Sequence, residues 1–407
     1  MTSALHRGTA PDYVDVGPIR AISQASNQPS GLDWSRTRFH DFSGNPKSLK
    51  GYLWPNDVLI NSTGTGTLGR VGYFTGSPDG RSCMADSHVT IVRAKADELD
   101  ARFSYYWLNS KPFQEYVYSA LVVGATNQIE LNRDRFGDAP TPLPPLDEQR
   151  RIANLLDTEI ARIDQLVSLR TRQTQLVEEE RASLLNSAFE RETHIPTRLK
   201  HLLATRPRYG VLVPQFVDGD GVRFIRVNDL LDLPGRADSL RKIPHALSTQ
   251  YARTITRPGD VLLSVVGTLG RAAIVPPELE GANVARAVAS LRPMPVVPAE
   301  LIAAWLTTSD FIRQAVSATS SDTAQATLGM EDLANFRLSW PSSPSATRDL
   351  LHEVRGIQQH GTHLACAFQA QSRLLTERRQ ALITAAVTGQ IDVSTASGRN
   401  AAEGVSA

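Results

Sequence analysis

Two stretches of the chain carry a regular stripe of side chains at alternating spacings of four and three. In the later stretch the stripe reads Leu350, Val354, Ile357, Gly361, Leu364, Phe368, Gln371, Leu375, Arg378 and Leu382. Subtracting 198 gives the earlier one: Ile152, Leu156, Glu159, Ile163, Leu166, Arg170, Gln173, Val177, Glu180 and Leu184. Residues 147–190 contain no proline and no glycine, so 44 residues predict a rod of roughly 65 Å at about 1.5 Å rise per residue. The second rod is predicted over 345–388, with Gly389 as its C′ residue. Sustained four-three spacing predicts a coiled-coil seam, apolar at its ends, with polar layers such as Gln173 and Gln371 setting register. A globular stretch separates the rods, so they are expected to pair antiparallel. The expected partners are Ile152 with Leu382, Leu166 with Phe368, and Leu184 with Leu350. Gly361 is a weak point where the second rod is expected to bend.

The pattern outside the rods is different. In residues 1–145, clusters such as Ser43-Gly44-Asn45-Pro46 and Gly76-Ser77-Pro78-Asp79-Gly80 separate short β-rich runs such as Val58-Leu59-Ile60 and Val89-Thr90-Ile91-Val92. A short amphipathic helix is predicted over 104–117, with a twin over 299–315. The prolines Pro140, Pro142, Pro144 and Pro145 end this unit. Asp147 then stands at the expected N-cap of the first rod, with Glu148 in its first turn.

The chain repeats itself. Gly66-Thr67-Leu68-Gly69-Arg70 recurs as Gly267-Thr268-Leu269-Gly270-Arg271, each after a matching strand, Pro55-Asn56-Asp57-Val58-Leu59 and Pro258-Gly259-Asp260-Val261-Leu262. Downstream the offset settles at 198, pairing Trp107 with Trp305 and Phe113 with Phe311. So long a period is a duplicated domain-plus-helix unit, since solenoid and propeller repeats run about 20–50 residues. Ile19-Arg20 aligns with Ile225-Arg226, which leaves residues 199–210 without a counterpart. A shortened start and a smaller first domain are both consistent with that.

Composition narrows the function. Of 407 residues, 41% are hydrophobic and 21% charged, as in ordinary globular proteins. The two cysteines, Cys83 and Cys366, fall at non-equivalent places, which excludes a disulfide framework and fits a reducing cytoplasm. No apolar run is long enough to span a bilayer. Net charge is +1, a weak footprint for a protein gripping DNA alone. Any DNA-bound form therefore draws part of its electrostatics from a partner. Residues 196–344 carry 16 basic and 13 acidic side chains, against 14 of each in 1–145.

Catalytic motifs fail one by one. Gly64-Thr65-Gly66-Thr67-Leu68-Gly69 has the letters of a dinucleotide fingerprint, but a strand follows it rather than a helix, and the second copy has Val265 at the first glycine. Two readings of the shared Gly-Thr-x-Gly-Arg turn stay open: a structural hairpin, and a hairpin that also touches DNA. His360 and His363 lack companions at metal-ligand spacing, so no metal site is assigned. The chain reads as non-catalytic.

At the first junction, Pro142-Leu143-Pro144-Pro145-Leu146-Asp147-Glu148-Gln149-Arg150-Arg151-Ile152 resembles that of type I restriction–modification specificity subunits. The run Leu374-Leu375-Thr376-Glu377-Arg378-Arg379-Gln380-Ala381-Leu382-Ile383, closing on Thr388-Gly389-Gln390-Ile391-Asp392, is similar to that family's C-terminal repeat. The Gly-Thr-x-Gly-Arg turns and Phe224-Ile225-Arg226-Val227-Asn228-Asp229-Leu230 are similar to its recognition domains. The resemblance spans residues 16–392. It implies an α+β protein: two mixed α/β target recognition domains (1–145 and 193–344) joined by two long antiparallel coiled-coil helices (146–192 and 345–392), while residues 393–407, without periodicity, are expected to be a disordered tail. It implies that each domain reads half of a bipartite DNA site while the helices set the spacer and dock two methylation subunits. Restriction subunits are a further partner that the resemblance implies. S-adenosylmethionine, ATP and Mg are then expected on those partners and none in this chain. The second junction, Trp340-Pro341-Ser342-Ser343-Pro344-Ser345-Ala346-Thr347, lacks the Glu-Gln pair. The rival reading is a coiled-coil scaffold with two protein-binding domains.

The candidate DNA contacts are Thr67, Arg70, Thr268 and Arg271 at the turns, then Arg20 with Ser23 and Arg226 with Asn228. Thr126, Asn127 and Gln128 follow the first short helix, and Ser321, Thr323 and Gln325 follow the second. Amides there suit adenine edges. Arg36, Arg38 and Lys47 are candidate phosphate contacts. Pro144, Pro145, Glu148 and Gln149 are the partner-binding residues that the resemblance implies.

Overall fold

The computed structural model describes residues 1–29, 31–64, 66–124, 129–267, 269–319 and 327–393. Its contacts divide into two compact units. One is Met1–Arg170 with the chain from Ala370 onward, and the other is Thr171–Gln369.

In the first unit a four-stranded antiparallel sheet has the order Thr2–Arg7, Val89–Ala94, Asp57–Asn61, Val71–Phe74. Beside it Ile19–Ile22 runs parallel to Ser82–Ala85 and antiparallel to Arg38–His40. Central-strand residues such as Val58, Ile60 and Val92 are buried against Phe113, Val117 and Leu121. On the other face Leu59 and Ile91 pack with Ile22 and Phe74. Strands buried on both faces explain why these runs read as continuous apolar letters rather than alternating ones.

The second unit repeats the arrangement. Its sheet has the order Leu203–Tyr209, Val288–Pro293, Val261–Ser264, Ala272–Ile274, and Val222–Ile225 runs parallel to Asn283–Val284. This corrects one expectation. Residues 203–210 do have a counterpart in the first unit: the edge strand Thr2–Arg7 and Gly8. Gly8 and Gly210 are interchangeable in detail. A Cβ at Gly8 would lie 2.0 Å from the Ala85 carbonyl oxygen, and one at Gly210 would lie 1.9 Å from that of Val284. The sequence comparison missed the match because only that glycine is held in common.

Each predicted short helix is in fact two. Ala101–Asn109 is followed by Lys111–Tyr116, and Ala299–Trp305 by Ser309–Thr319. The breaks fall at Ser110 and near Thr308, which share the 198 offset. At the second break the Thr308 hydroxyl accepts from Phe311 N–H at 3.4 Å, a capping contact that restarts the helix.

The long helices run Leu146–Phe189 and Pro344–Val387, 44 residues each. Each starts one residue before its predicted position. The Pro145 carbonyl accepts from Glu148 and Gln149, so Asp147 sits inside the first turn and is not the cap. Gly389, at φ 72°, follows the second helix, and the bonds Gln390 N–H to Ala385 O and Gly389 N–H to Ala386 O form a Schellman ending.

The heptad register does not persist along either helix. The inward stripe of the first runs Ile152, Leu156, Ile160, Ile163, Val167, Arg170, Thr174, Val177, Arg181, Leu185. That of the second runs Leu350, Val354, Ile357, Gly361, Ala365, Phe368, Ser372, Leu375, Arg379, Ile383. Each takes nine steps over 33 residues, the period of an 11-residue repeat at about 3.67 residues per turn rather than 3.5. Leu166, Leu184, Gln371 and Arg378 therefore turn outward, and Leu184 is 46% exposed. Leu185, not Leu184, shares a core with Leu350 and Val354. In the first unit Ile152 and Leu382 do share a core, along with Leu156, Ile383 and Ala386. Gly361 does not interrupt its helix. It makes room for Arg181, whose Cδ would lie 2.9 Å from a Cβ there.

Candidate nucleic-acid interface

One end of the first unit's sheet gathers its loops. Asn61 N–H donates to Arg70 O, Ser62 N–H to His88 O, and Leu131 N–H to Ser62 O; Thr63 bridges Glu130. Thr9 N–H donates to Ala85 O, and Asp86 N–H to Ile22 O. The repeated turn is the hairpin between Asp57–Asn61 and Val71–Phe74. Its glycines take left-handed backbone angles in both copies: φ is 79° at Gly66, 83° at Gly69, 78° at Gly267 and 80° at Gly270. Only glycine adopts these without strain, so the repeat of those two letters is a backbone requirement.

An amide network fixes this hairpin to the turn after Ile19–Ile22. Asn27 Nδ2 donates to Arg70 O (2.9 Å) and Asn61 Oδ1 (3.2 Å), and Asn61 Nδ2 donates to Gln24 O (3.0 Å). Arg70 donates to Gln28 Oε1 (3.2 Å) and Gly66 O (3.0 Å). The Thr67 hydroxyl is directed at Thr63 O (3.3 Å), Gly64 O (3.4 Å) and Gln24 Oε1 (3.5 Å). Both side chains thus hold the turn together.

The other candidates differ in how far they are engaged. Arg20 Nε lies 2.9 Å from Asp79, and its guanidinium also donates to Thr37 Oγ1 (2.7 Å). That pairing holds the Asp79 carboxyl well below the usual carboxylate range. The Ser23 hydroxyl accepts from Ala25 N–H. Arg226 spans both oxygens of buried Asp229, at 3.1 and 3.3 Å, while Asn228 is exposed. Arg36 is paired with Asp33, Arg38 lies 3.9 Å from the Tyr13 ring centroid, and Lys47 lies 5.1 Å from that of Trp54; all three are exposed. Arg271 makes no side-chain hydrogen bond or ion pair with the described residues. Thr268, Thr126, Asn127, Gln128, Ser321, Thr323 and Gln325 lie outside the described residues. Their flanks do reach the hairpins, through Thr63 with Glu130 and Val266 with Thr327.

Gln149 requires a correction. It is 1% exposed, and its amide is spent inside the first unit: Oε1 accepts from Asp100 N–H at 2.8 Å, while Nε2 donates to Pro144 O at 2.9 Å and Glu98 O at 3.1 Å. A partner cannot reach it. Pro145 is exposed, and Pro144 and Glu148 are half-buried.

Sequence reading also missed a repeated ion pair. Arg93 spans Asp57 with two bonds of 2.7 Å, and Arg292 spans Asp260 at 2.8 and 2.7 Å. Each aspartate also accepts a turn N–H, from Trp54 and from Arg257. Both aspartates stand in the repeated strand motif, so comparing the copies further along would have found the arginines. No group of metal-ligating side chains occurs among the described residues, and no helix there is long and apolar enough to cross a membrane.

Residues 36–174 match the family described as type I restriction modification DNA specificity domain. The chain is 28% identical over 357 residues to the type I restriction enzyme EcoBI specificity subunit of Escherichia coli, covering 79% of this chain and 72% of that one. The chain is thus similar to type I restriction–modification specificity subunits over most of its length. A second relative, the putative type I restriction enzyme MjaX specificity subunit of Methanocaldococcus jannaschii, is 21% identical over 30% of this chain and 27% of its own. A solved structure described under complex assembly and conformational transition of the type I R-M system shares the fold, with TM-score 0.66, 17% identity and 95% of each chain covered.

Proposed function

We propose that this chain is the DNA sequence-specificity subunit of a type I restriction–modification complex. Each unit reads one half of a bipartite, asymmetric site, and the long helices set the spacer between the halves. The observation that carries this reading is a shared scaffold with unshared tips. Both units keep the hairpin glycines and the buried aspartate–arginine pair, while the loop side chains around them differ. A conserved frame with divergent loops suits recognition of two different half-sites.

The hairpin arginines, Arg70 and Arg271, are the first candidates for base or phosphate contact. Thr67 and the engaged pairs Arg20–Asp79 and Arg226–Asp229 shape the loops that carry the reading. The residues proposed to read base edges directly are Asn228, Ser23 and the segments 126–128 and 321–325. Arg36, Arg38 and Lys47 stay as proposed backbone contacts. Two methylation subunits dock on the long helices, with Pro145 and Glu148 at the first junction and a different contact at the second. Restriction subunits join that assembly. Methyl transfer from S-adenosylmethionine and ATP- and Mg-dependent cleavage belong to these partners, and the whole acts in the cytoplasm.

Selection from a randomised duplex pool tests the reading. The complex of this chain with its methylation subunits should enrich a split consensus with two separated blocks of fixed bases. Recovery of a pool with no fixed bases at any salt concentration would contradict it.

A further inference from the structure

The matched loop ends of the two units carry opposite electrostatic solutions. In the second unit Ala285 N–H donates to Ile225 O, Arg286 N–H to Val211 O, and Val265 N–H to Ala287 O. Ser264 N–H donates to Arg271 O, and Leu328 N–H to Val265 O. These bonds set the Arg286 loop, the Arg271 hairpin and the end of the Arg226 strand at one end of the sheet.

The charge there is largely uncommitted. Arg286 is exposed, and neither it nor Arg271 makes a side-chain hydrogen bond or ion pair with the described residues. Arg226 is neutralised by Asp229. In the first unit the arginines of the matching turn and edge strand are engaged: Arg7 with Glu130, and Arg70 with Gln28 and Gly66. The residue matched to Arg286 there is Ser87, flanked by the buried Asp86 and by His88. The Asp86 carboxylate accepts from the Tyr13 hydroxyl at 3.3 Å and helps burial push that phenol up to about 12.

An exposed guanidinium with no partner among the described residues, beside a recognition hairpin, suits a phosphate oxygen, and each phosphate neutralised releases counterions. We propose that Arg286 and Arg271 seat the loop end of the second unit on the duplex backbone, and that the matched loop end of the first unit adds base reading with little backbone charge of its own. This rests on the DNA-reading function above. The two half-sites then contribute unequally to affinity: the second anchors and the first discriminates.

The salt dependence of binding by the complex with its methylation subunits tests this, using the duplex selected above and a scrambled duplex. Arg286→Ala and Arg271→Ala should each make the plot of log affinity against log salt shallower by about 0.9. Both duplexes should weaken by the same factor. Arg286→Lys should keep the slope, and Ser87→Arg should steepen it by a similar amount. Arg7→Ala should leave it unchanged. A wild-type slope in Arg286→Ala, with melting and selection intact, would overturn the anchor role. So would weakening confined to the selected duplex. Failure of the wild-type complex to distinguish the two duplexes would instead overturn the function on which the proposal rests.

Discussion

The Gln149 side-chain oxygen accepts the backbone N–H of Asp100 at 2.8 Å, tying the start of the first long helix to the start of the helix Ala101–Asn109. In the second copy both members of this bond are gone. Pro298, which has no N–H, stands where Asp100 does, and Thr347 stands where Gln149 does. Thr347 turns its hydroxyl back to Ser343 O at 3.0 Å. The missing Glu-Gln of the second junction is therefore first a change of internal structure. A glutamine there would find no donor to receive.

Gln149→Ala should therefore destabilise the first unit by about 2–3 kcal/mol, since it strands a buried N–H and removes two donor bonds. Thr347→Ala should cost under about 1 kcal/mol. Chemical denaturation followed by circular dichroism measures both. Equal effects would mean that the bonds at Gln149 contribute no more than a helix-surface hydroxyl.

The buried pairs Asp57–Arg93 and Asp260–Arg292 should behave alike. Removing the arginine leaves an uncompensated buried carboxylate, so Arg93→Ala and Arg292→Ala should each cost about 3–5 kcal/mol. The aspartates are 1% and 2% exposed in their side chains. Proteolysis should show the loss confined to the unit that carries the substitution.

Trp305 Nε1 donates to Asp310 at 3.3 Å, whereas Trp107 Nε1 is buried with no hydrogen-bond partner among the described residues. The residue matched to Asp310 is Pro112. Pro112→Asp should give the orphaned indole an acceptor and favour the helix N-terminus, raising stability by about 1 kcal/mol. Thermal melting checks the sign, and a lower melting temperature would show that the proline's rigidity matters more.

The two thiols should differ. Burial pushes the Cys83 thiol up to about 12, while Cys366 is exposed. The thiolate is the reactive form, so at pH 8 Cys83 stays protonated and shielded. A chromogenic disulfide reagent should titrate one thiol in the native chain and two in guanidinium chloride. Two fast-reacting native thiols would contradict the burial.

Much of this architecture was legible because duplication doubles every signal. The hairpins recur at an offset of 201 residues and the long helices at 198, while Gly389 marks the end of the second helix alone. What was not legible depended on partners distant in sequence. Gln149 reads as an exposed helix-start residue until Asp100, Glu98 and Pro144 surround it. The seam was misplaced because four-three spacing fits a heptad and an 11-residue repeat equally well over two or three turns. The edge strand Thr2–Arg7 was missed because strand pairing constrains backbone hydrogen bonds more than side chains. Arg286 carries no motif at all, and only the loop bonds around Val211 and Ala287 set it beside the hairpin.

Single-molecule methylation mapping tests the central claim most directly. DNA is compared from cells expressing this chain with its neighbouring methyltransferase and from cells lacking this chain. A split motif with methyladenine in both halves, absent without the chain, is the predicted result. The same methylation in both cell lines would contradict the account.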